Sequence, residues 1–412
     1  MQVDDQIRAA VEKNAAEARE FLKGMIRFES TPGNEAGVVE FCRDGFSKAG
    51  CDCELVPIPN EITSDPEYSF ADQPVTYEGR SNMVAWRRGS GGGRSAILQG
   101  HLDVVPADDW EDAFAPVDDG DFVVGRGAAD AKGQVAAIWL AMRALDELDI
   151  TLKGDVQCQT VIEEENGGNG ALSLIRQGYR ADAVVVLEGS ELQIHPANRG
   201  AVWFKIEIEG LPTHMGRKTE GISAIDLSYK AIQAMYDYEK VIIADSADYP
   251  GFERYASPVQ VNVGMLTAGS WPSQVAASAV IEGGVGFLPN RSMEQVEREV
   301  RDVIDGIDDP WLREHCKLSF PKLHNDSYEI DYSHPVVVAL EKAARETGLD
   351  SEVFGFNVSC DARLYAKVGK MPTVVFGPGS VAQAHARGEK IGFGEVAKAA
   401  EAIVRFVMDW CG

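Results

Sequence analysis

Apolar and polar positions alternate in two different ways along the chain. Up to about residue 197, short apolar runs are separated by helical patterns, and an amphipathic helix over 5–29 precedes them. This order predicts an α/β layer with a largely parallel sheet and helices on both faces. The predicted strands are 82–86, 95–99, 156–161 and 183–187, and the predicted helices are 134–148 and 171–177.

After residue 197 the pattern changes. Residues 201–209 (AVWFKIEIE) alternate between apolar and polar side chains, which is typical of a half-buried strand in an antiparallel sheet. A helix at 223–238, strands at 259–266 and 277–288, and a helix at 293–307 complete a β-α-β-β-α block. The α/β pattern returns at 334–347, 373–376 and 393–410, so we expect 198–310 to be an inserted α+β domain. Residues 1–197 and 311–412 would then form one discontinuous catalytic domain.

Two connecting segments are expected to lie outside the elements. Residues 59–80 are polar and contain proline, which predicts a surface loop, and residues 90–93 (SGGG) predict a flexible turn between two strands.

Composition excludes several classes of protein. The net charge of −26 repels nucleic acid and anionic membrane surfaces, so we expect neither as a partner. The seven cysteines are scattered without a CxxC pair, which argues against a disulfide framework and a thiolate metal site. No apolar run is long enough to span a membrane, and the charged N-terminus lacks a signal-peptide pattern, so we expect a cytoplasmic protein.

Histidines and carboxylates stand at the ends of the predicted strands, where open α/β sheets form their binding crevice. Taken singly, each signal is weak. The pair His101 and Asp103 is also compatible with a structural histidine, and Asp130 in its glycine-rich turn is also compatible with a helix N-cap. Residues 163–165 (EEE) would make a costly cluster without a cation, although a solvated acidic turn is the alternative.

Together these segments supply a complete ligand set for two metal ions. One bridging carboxylate, with one histidine and one carboxylate for each metal, makes a pair of ions roughly 3.5–4 Å apart. Imidazole and carboxylate ligands without thiolate favour Zn²⁺, with Co²⁺ or Mn²⁺ as alternatives. The candidate ligands are His101, Asp130, Glu165, Glu188 and His385.

The motifs HLDVVP, GRGAADAKG, EEENGGNGA and LEGS, followed by His385, resemble the family of two-zinc exopeptidases and deacylases. That family includes acetylornithine deacetylase, succinyl-diaminopimelate desuccinylase, aminoacylases and glutamate carboxypeptidases, and the resemblance covers nearly the whole chain. It implies that Asp130 bridges the metals, that Asp103 supports His101, and that Glu164 is the general base. His101 and Glu188 would bind the first zinc, and Glu165 and His385 the second.

The inserted block resembles the family's lid or dimerisation domain. The resemblance implies a homodimer through this domain. It also implies a role for His214, in GLPTHMG, as a donor to the reaction's oxyanion, often in the partner subunit's active site. Substrate contacts are expected at Arg199, Asn262 and Gly377.

The chain departs from the family pattern at four positions. Ala131 stands where methionine is common, Cys360 where threonine is usual, and Ala276 where proline is usual. Gly286 stands where many members carry an arginine that holds the substrate carboxylate. Arg199 or Arg291 could replace that arginine, although for Arg291 we favour a solvated surface side chain.

We therefore expect a metal-dependent hydrolase that removes the acyl group from a small N-acylated amino acid or a related compound. Two alternatives within the enzyme class are a dipeptidase or carboxypeptidase, and an aminohydrolase acting on an atypical or aromatic amine. A catalytically dead metal-binding protein is the alternative from another class. The complete ligand set and Glu164 argue against it.

Overall fold

The computed structural model describes residues 3–70, 75–321 and 323–412. The chain divides into two compact units. The first comprises Met1–Ala197, Ile330–Phe356 and Cys360–Gly412, and the second comprises Asn198–Glu329 with Asn357–Ser359.

Helices of very different length occur in both units. α1 is amphipathic and packs with α3 and α9, which lie in the first unit with it. The α-helices of the described residues are α1 (Val3–Ile26), α2 (Ala36–Lys48), α3 (Gly133–Glu147), α4 (Asn169–Arg176), α5 (Ala224–Ser246), α6 (Met293–Asp305), α7 (Pro310–His315), α8 (Pro335–Glu346) and α9 (Phe393–Trp410).

The strands range from two to ten residues in length. Those of the described residues are β1 (Asp52–Pro57), β2 (Ser81–Arg87), β3 (Ala96–His101), β4 (Val117–Asp119), β5 (Phe122–Val124), β6 (Val156–Val161), β7 (Ala183–Val186), β8 (Ala197–Asn198), β9 (Gly200–Glu209), β10 (Gln260–Ala268), β11 (Ser278–Phe287), β12 (Cys316–Ser319), β13 (His324–Asn325), β14 (Tyr328–Glu329), β15 (Thr373–Val375) and β16 (Lys390–Gly392).

The first unit is built on a six-stranded sheet in the order β1-β2-β6-β3-β7-β15. Strands β6, β3, β7 and β15 run parallel, whereas β2 is antiparallel to both of its neighbours. β3, β6 and β7 are buried along their whole length, as is typical of the central strands of a parallel sheet. β7 is apolar throughout, whereas β3 and β6 also carry buried polar residues such as Gln99 and Gln159. The predicted α/β class with a largely parallel sheet is confirmed.

Helices α3 and α4 lie on opposite faces of this sheet because of the order of the strands. α3 connects β3 to its neighbour β6, and α4 then connects β6 back across β3 to β7. Since parallel crossovers are right-handed, two crossovers in opposite directions place their helices on opposite faces. The carboxyl ends of β3, β6, β7 and β15 consequently meet at one edge of the sheet.

The second unit contains an antiparallel sheet in the order β10-β11-β9-β12, with β13 also paired to β9. Alternate residues of β9, from Val202 to Ile208, are buried, and α5 and α6 pack against these strands. The other face of the sheet carries more exposed side chains such as Trp203. This is the α+β block that the alternating pattern predicts.

The structure differs from two sequence expectations. The second unit continues to Glu329 rather than ending at residue 310, because β12 pairs with β9. Residues 59–80 are not simply a surface loop, since Tyr68, Tyr77 and Arg80 are buried and Tyr77 and Arg80 both bond to Glu163. Residues 71–74 of that segment lie outside the described residues.

All seven cysteines are free thiols, in agreement with the absence of a disulfide framework. Among the described residues, none of the helices combines the length and the apolar character that crossing a membrane requires.

Candidate metal centre

The candidate ligands of the first unit come from the carboxyl edge of its central sheet. His101 is the last residue of β3, Glu164 and Glu165 follow β6, and Glu188 follows β7. His385 lies in the loop after β15 and has a positive φ of 58°. Parallel neighbours end at the same edge, so residues far apart in sequence are brought together there.

Two groups of potential ligand atoms share one carboxylate. His101, Asp130 and Glu188 form one group, and Asp130, Glu165 and His385 form the other, with the atoms of each group within 4.8 Å of one another. Asp130 Oδ1 lies 3.0 Å from His101 Nε2, and its Oδ2 lies 3.4 Å from His385 Nε2. The two oxygens of Asp130 therefore face different histidines, as a bridging ligand requires.

The donor set fits two divalent cations. It consists of imidazole nitrogens and carboxylate oxygens without thiolate, a combination suited to zinc, manganese or cobalt. Glu188 Oε1 is buried and has no hydrogen-bond partner among the described residues. A buried carboxylate oxygen without a partner is costly, and a cation held by this group would remove the cost.

Asp103 contacts His101 mainly through its main chain. The carbonyl oxygen of Asp103 lies 3.0 Å from His101 Nδ1, whereas its carboxylate oxygen Oδ1 lies 3.5 Å away. A carbonyl oxygen only accepts, so Nδ1 carries the proton and Nε2 has the lone pair that a metal ion would need. The Asp103 carboxylate instead accepts the N–H of Glu165 at 3.0 Å and so links the two ligand-bearing segments.

The three consecutive glutamates point in different directions. Glu163 has a positive φ of 67° and is fully buried, where it accepts hydrogen bonds from Arg80, from Tyr77 at 2.9 Å and from Asn169 at 3.2 Å. Arg80 thus compensates the first carboxylate, which the sequence alone did not indicate. Glu164 and Glu165 remain partly exposed at the turn.

Glu164 lies in a strongly acidic environment. Burial raises the pKa of Glu164 well above its usual range; His101 opposes that shift, and Glu188 and Asp361 reinforce it. Nearby cations would oppose this shift, because positive charge favours the ionised carboxylate.

Sequence reasoning assigned no role to Glu389, although it lies four residues after His385. This fully buried carboxylate accepts from the N–H groups of Ala129 at 2.8 Å and Asp130 at 3.0 Å through Oε1. Its Oε2 accepts from Gly127 N at 3.0 Å and from Arg126 Nη1 at 2.9 Å. Glu389 therefore joins two segments: the turn that contains Asp130, and the loop that contains His385.

Asp361 is a second residue without a role in the sequence analysis. It is buried, accepts from Gln99 Nε2 at 3.0 Å, and burial raises its pKa to about 7. Gly168 approaches it closely, because a Cβ at that glycine would lie 2.2 Å from Asp361 Oδ1. A lone aspartate in a turn carries no sequence signal that would have identified this position.

Gly377 belongs to the first unit and packs against Glu188. A Cβ at Gly377 would lie 2.3 Å from the carbonyl oxygen of Glu188, so only glycine fits. The N–H of Gly377 donates to Ser190 Oγ at 2.8 Å, which uses the main-chain donor that a substrate contact there would need.

His214, Arg199 and Asn262 belong to the second unit. His214 is exposed, and its Nδ1 accepts the N–H of Gly216 at 3.1 Å, which leaves Nε2 as the protonated nitrogen. Arg199 donates to Gln260 Oε1 at 2.7 Å, and Asn262 is exposed on β10.

Arg291 is not the solvated side chain that the sequence favoured. It is buried and pairs with Asp245 at 2.6 Å and Glu299 at 3.0 Å, because α5 and α6 bring both acids to it. With two carboxylates already bound, it is a structural ion pair rather than a substitute for the arginine missing at position 286.

Comparison with known proteins agrees with this geometry. Residues 97–409 match the family described as Peptidase family M20/M25/M40. The N-formyl-4-amino-5-aminomethyl-2-methylpyrimidine deformylase of Bacillus subtilis is 28% identical, over 82% of this chain and 85% of the relative. The enzyme of the same name from Halalkalibacterium halodurans is 28% identical over 100% of this chain and 98% of the relative.

Solved structures share the fold. A tripeptidase from Staphylococcus aureus superposes with a TM-score of 0.77 at 20% identity and covers 97% of this chain and 99% of its own. A dinuclear metal-binding peptidase of the M20 family from Bacillus subtilis gives a TM-score of 0.70 at 16% identity, over 97% of this chain and 99% of its own.

Proposed function

The chain belongs to peptidase family M20/M25/M40, and from this premise we propose that it is a two-zinc deacylase of small N-acylated amino acids or related amines. The observation that carries the proposal is the shared carboxylate of Asp130, whose two oxygens face His101 and His385. Two adjacent groups of candidate ligands that share one carboxylate could hold two metal ions side by side. Amide hydrolysis by a two-metal mechanism requires this arrangement.

In this proposal, the five ligands divide between two ions. His101 and Glu188 hold the first, Glu165 and His385 the second, and Asp130 bridges them. Bound there, Zn²⁺ would act as a Lewis acid that polarises the amide carbonyl and makes water a better nucleophile. The absence of thiolates leaves Co²⁺ and Mn²⁺ as the competing metals.

Glu164 is proposed as the general base. Its carboxylate accepts a proton from the attacking water and returns it to the amine nitrogen as the C–N bond breaks. The direction of Glu163 supports this assignment, because Glu163 is bonded to Arg80 in the core and leaves Glu164 as the uncommitted neighbour of the ligand Glu165.

His214 is proposed to donate a hydrogen bond to the oxyanion that develops on the substrate carbonyl. The contact from Gly216 N–H to Nδ1 supports this role, because it fixes the tautomer with Nε2 as a donor. Asn262 remains an expected substrate contact. Gly377 stays a prediction from the sequence that its N–H bond to Ser190 does not favour.

The names of the relatives favour a second candidate substrate. Both curated relatives above are named as deformylases of an N-formyl aminopyrimidine. That name describes a heteroaromatic compound and includes no carboxylic acid group. Gly286, standing where an arginine is frequent, is compatible with such a substrate. A dipeptidase is the further alternative, since the structural relatives include peptidases.

A homodimer through the second unit is part of the proposal. β10 is an edge strand, and its Met265 and Leu266 are 59% and 46% exposed, next to an α5 face that exposes Tyr229 by 68%. An edge strand with exposed apolar side chains favours pairing with a second copy. Sedimentation should give a dimer that Leu266→Lys converts to monomer, whereas a monomeric wild-type chain would contradict this part.

The cytoplasmic location stays a prediction from the sequence.

The decisive experiment is a hydrolysis screen of the zinc-loaded protein and its Glu164→Gln variant. N-formyl and N-acetyl amino acids, dipeptides and N-formyl aryl amines are the substrates. We expect turnover of at least one N-acyl class, full metal content in Glu164→Gln, and a loss of kcat of about 10²–10⁴-fold.

Glu29→Gln is the matched control, because Glu29 is an exposed glutamate of the same unit. It should retain wild-type kcat. Absence of amide hydrolysis in the metal-loaded wild type would contradict the proposed function, and wild-type turnover in Glu164→Gln would remove the general base.

A further inference from the structure

The segment between β1 and β2 contacts the first of the three consecutive glutamates. Tyr77 and Arg80 of this segment are buried, and so is Glu163. The hydroxyl of Tyr77 donates to Glu163 Oε2 at 2.9 Å, and the guanidinium of Arg80 donates to Glu163 Oε1. Asn169, the first residue of α4, donates to Oε2 at 3.2 Å. Both carboxylate oxygens are therefore held by side chains from other parts of the first unit.

The donors to Glu163 are held in place by further contacts. Arg80 Nε donates to Glu35 Oε2 at 3.1 Å, and Glu35 is buried as well. The hydroxyl oxygens of Tyr68 and Tyr77 lie 3.0 Å apart. Because Tyr77 donates its hydroxyl hydrogen to a carboxylate, Tyr68 is the donor in this pair. We call the three donors to Glu163 its anchor: Tyr77, Arg80 and Asn169.

The anchored residue begins the turn that contains the other two glutamates. Glu163 has a φ of 67°, which is unfavourable for a residue other than glycine and persists only where surrounding contacts hold it. Its carbonyl oxygen accepts the N–H of Gly168 at 2.8 Å, and the carbonyl oxygen of Glu164 accepts the N–H of Gly167 at 2.8 Å. The turn therefore closes on Glu163, and a rotation of this residue would displace Glu164 and Glu165 with it.

We propose that Tyr77 and Arg80 are positioning residues for the candidate metal centre, because their hold on Glu163 fixes the turn of the general base and of one metal ligand. The far side of the turn is fixed as well, since the N–H of Glu165 donates to Asp103 Oδ2 at 3.0 Å. With both sides fixed, Glu165 Oε2 is held 3.0 Å from Nε2 of the second histidine ligand.

The anchor also keeps a third carboxylate away from the candidate ions. Without Arg80, Glu163 would be a buried charge that lacks compensation, which is strongly unfavourable. Its carboxylate would then gain by turning towards the cations, where it would compete with Glu164 and Glu165. The effect of Glu164 on turnover rests on the proposed function, whereas the position of Glu165 can be tested on metal binding alone.

The test replaces Tyr77 by phenylalanine in the full-length chain, which removes one hydroxyl and keeps the ring. The metal-free protein is titrated with Co²⁺, and its visible spectrum reports the geometry of the ligands. We expect altered cobalt bands and an affinity for one of the two ions that is lower by about tenfold, the lower end for residues that orient ligands. In the zinc-loaded protein, kcat should fall about tenfold while KM stays unchanged, because the substrate pocket keeps its side chains.

Tyr238→Phe is the matched control. It removes the hydroxyl of a buried tyrosine in the second unit that donates to a glutamate, Glu299, at 2.7 Å. This variant should lower thermal stability and keep the wild-type kcat and cobalt spectrum. Wild-type kcat and spectrum in Tyr77→Phe, or equal changes in both variants, would overturn the inference.

Arg80→Lys tests the guanidinium without removing the charge. A lysine ammonium cannot reproduce the planar pair of donors that binds two carboxylates. The control is Arg405→Lys, because Arg405 is also buried between two carboxylates, those of Asp4 and Glu401. Both variants should lose thermal stability, and only Arg80→Lys should alter the cobalt spectrum. A wild-type spectrum in Arg80→Lys would show that the ion pair is structural alone.

A double variant tests whether Tyr77 acts through Glu163. Glu163→Gln changes one carboxylate oxygen into an NH₂ group, so the anchor loses an acceptor. Tyr77→Phe should therefore lower kcat less in this background than in the wild type, since changes within one hydrogen-bond network are not additive. Fully multiplicative effects would mean that Tyr77 acts independently of Glu163, and the inference would fail.

The outcomes distinguish this inference from the proposed function. If the wild type hydrolyses no amide, the proposed function is contradicted, and the cobalt titration still decides whether Tyr77 and Arg80 position the ligands. If the wild type is active and Tyr77→Phe matches it in kcat and in the cobalt spectrum, the positioning role is overturned and the amidohydrolase remains.

Discussion

Replacing Glu389 by glutamine should weaken metal binding although Glu389 is not itself a ligand. The glutamate accepts four hydrogen bonds, two on each carboxylate oxygen, from Arg126 and from the main chain of residues 127–130. A glutamine side chain retains a single acceptor oxygen. Two of the four hydrogen bonds therefore lose their acceptor and face an NH₂ group instead.

The size of the effect follows from these two hydrogen bonds. A hydrogen bond to a charged group contributes about 1.5–3 kcal/mol, so the loss amounts to about 3 kcal/mol or more. In the variant, the metal ion has to order the turn that contains Asp130 without these hydrogen bonds. The free energy of metal binding then becomes less favourable by the same amount. About 3 kcal/mol corresponds to a decrease in affinity of roughly 100-fold, within the range of about 10–100-fold typical for residues that orient metal ligands.

The assay is a competition between the metal-free protein and a chromophoric zinc chelator, with the visible spectrum of the Co²⁺-loaded protein as a second measure of ligand geometry. Glu401→Gln is the matched control, since it removes a buried glutamate–arginine pair on α9. It should lower thermal stability without changing metal affinity. Wild-type affinity and an unaltered cobalt spectrum in Glu389→Gln would refute the reasoning.

Three further predictions concern the first unit. Gly168→Ala should lower the unfolding temperature, because φ is +84° and a Cβ would lie 2.2 Å from Asp361 Oδ1; an unchanged melting curve would contradict this. Burial raises the pKa of Asp361 to about 7, so its ionisation destabilises the folded metal-free protein as pH rises from about 4 to about 7. Asp361→Asn should thus raise the melting temperature more at pH 8 than at pH 5, and an equal rise would argue against it. Burial raises the pKa of Cys42, and that of Cys51 to about 12, so these thiols should react with Ellman's reagent at pH 8 only after unfolding. Rapid labelling of the folded protein would show that they are accessible.

The sequence by itself determined the fold class and the positions of the candidate metal ligands. Strands that are buried on both faces are rich in apolar residues, and helices that cover them are amphipathic, so both leave a pattern that can be recognised without coordinates. The polar residues directly after such strands stand out against this background. His101, Glu165 and Glu188 were found in this way, and the structure places them at one sheet edge.

Only the tertiary structure decided which side chains are partnered. Glu163 and Glu164 are adjacent and identical in type, yet the first is bonded to Arg80 in the core, because the backbone turns there with a positive φ. The role of Glu389 depends on a turn about 260 residues away in sequence, with separations of 259 and 260 to Asp130 and Ala129. No local pattern reports such contacts, since hydrogen bonds between distant segments arise only when packing brings the segments together.

Arg199 and Arg291 illustrate the same limit. In the sequence both are arginines near glycine or polar residues, and either could replace a missing substrate contact. In the folded second unit, α5 and α6 supply two carboxylates to Arg291, whereas Arg199 is half-buried beside Gly286 and donates to the amide oxygen of Gln260. Charge is set by residue type, but whether that charge is compensated is set by the neighbours that the fold provides.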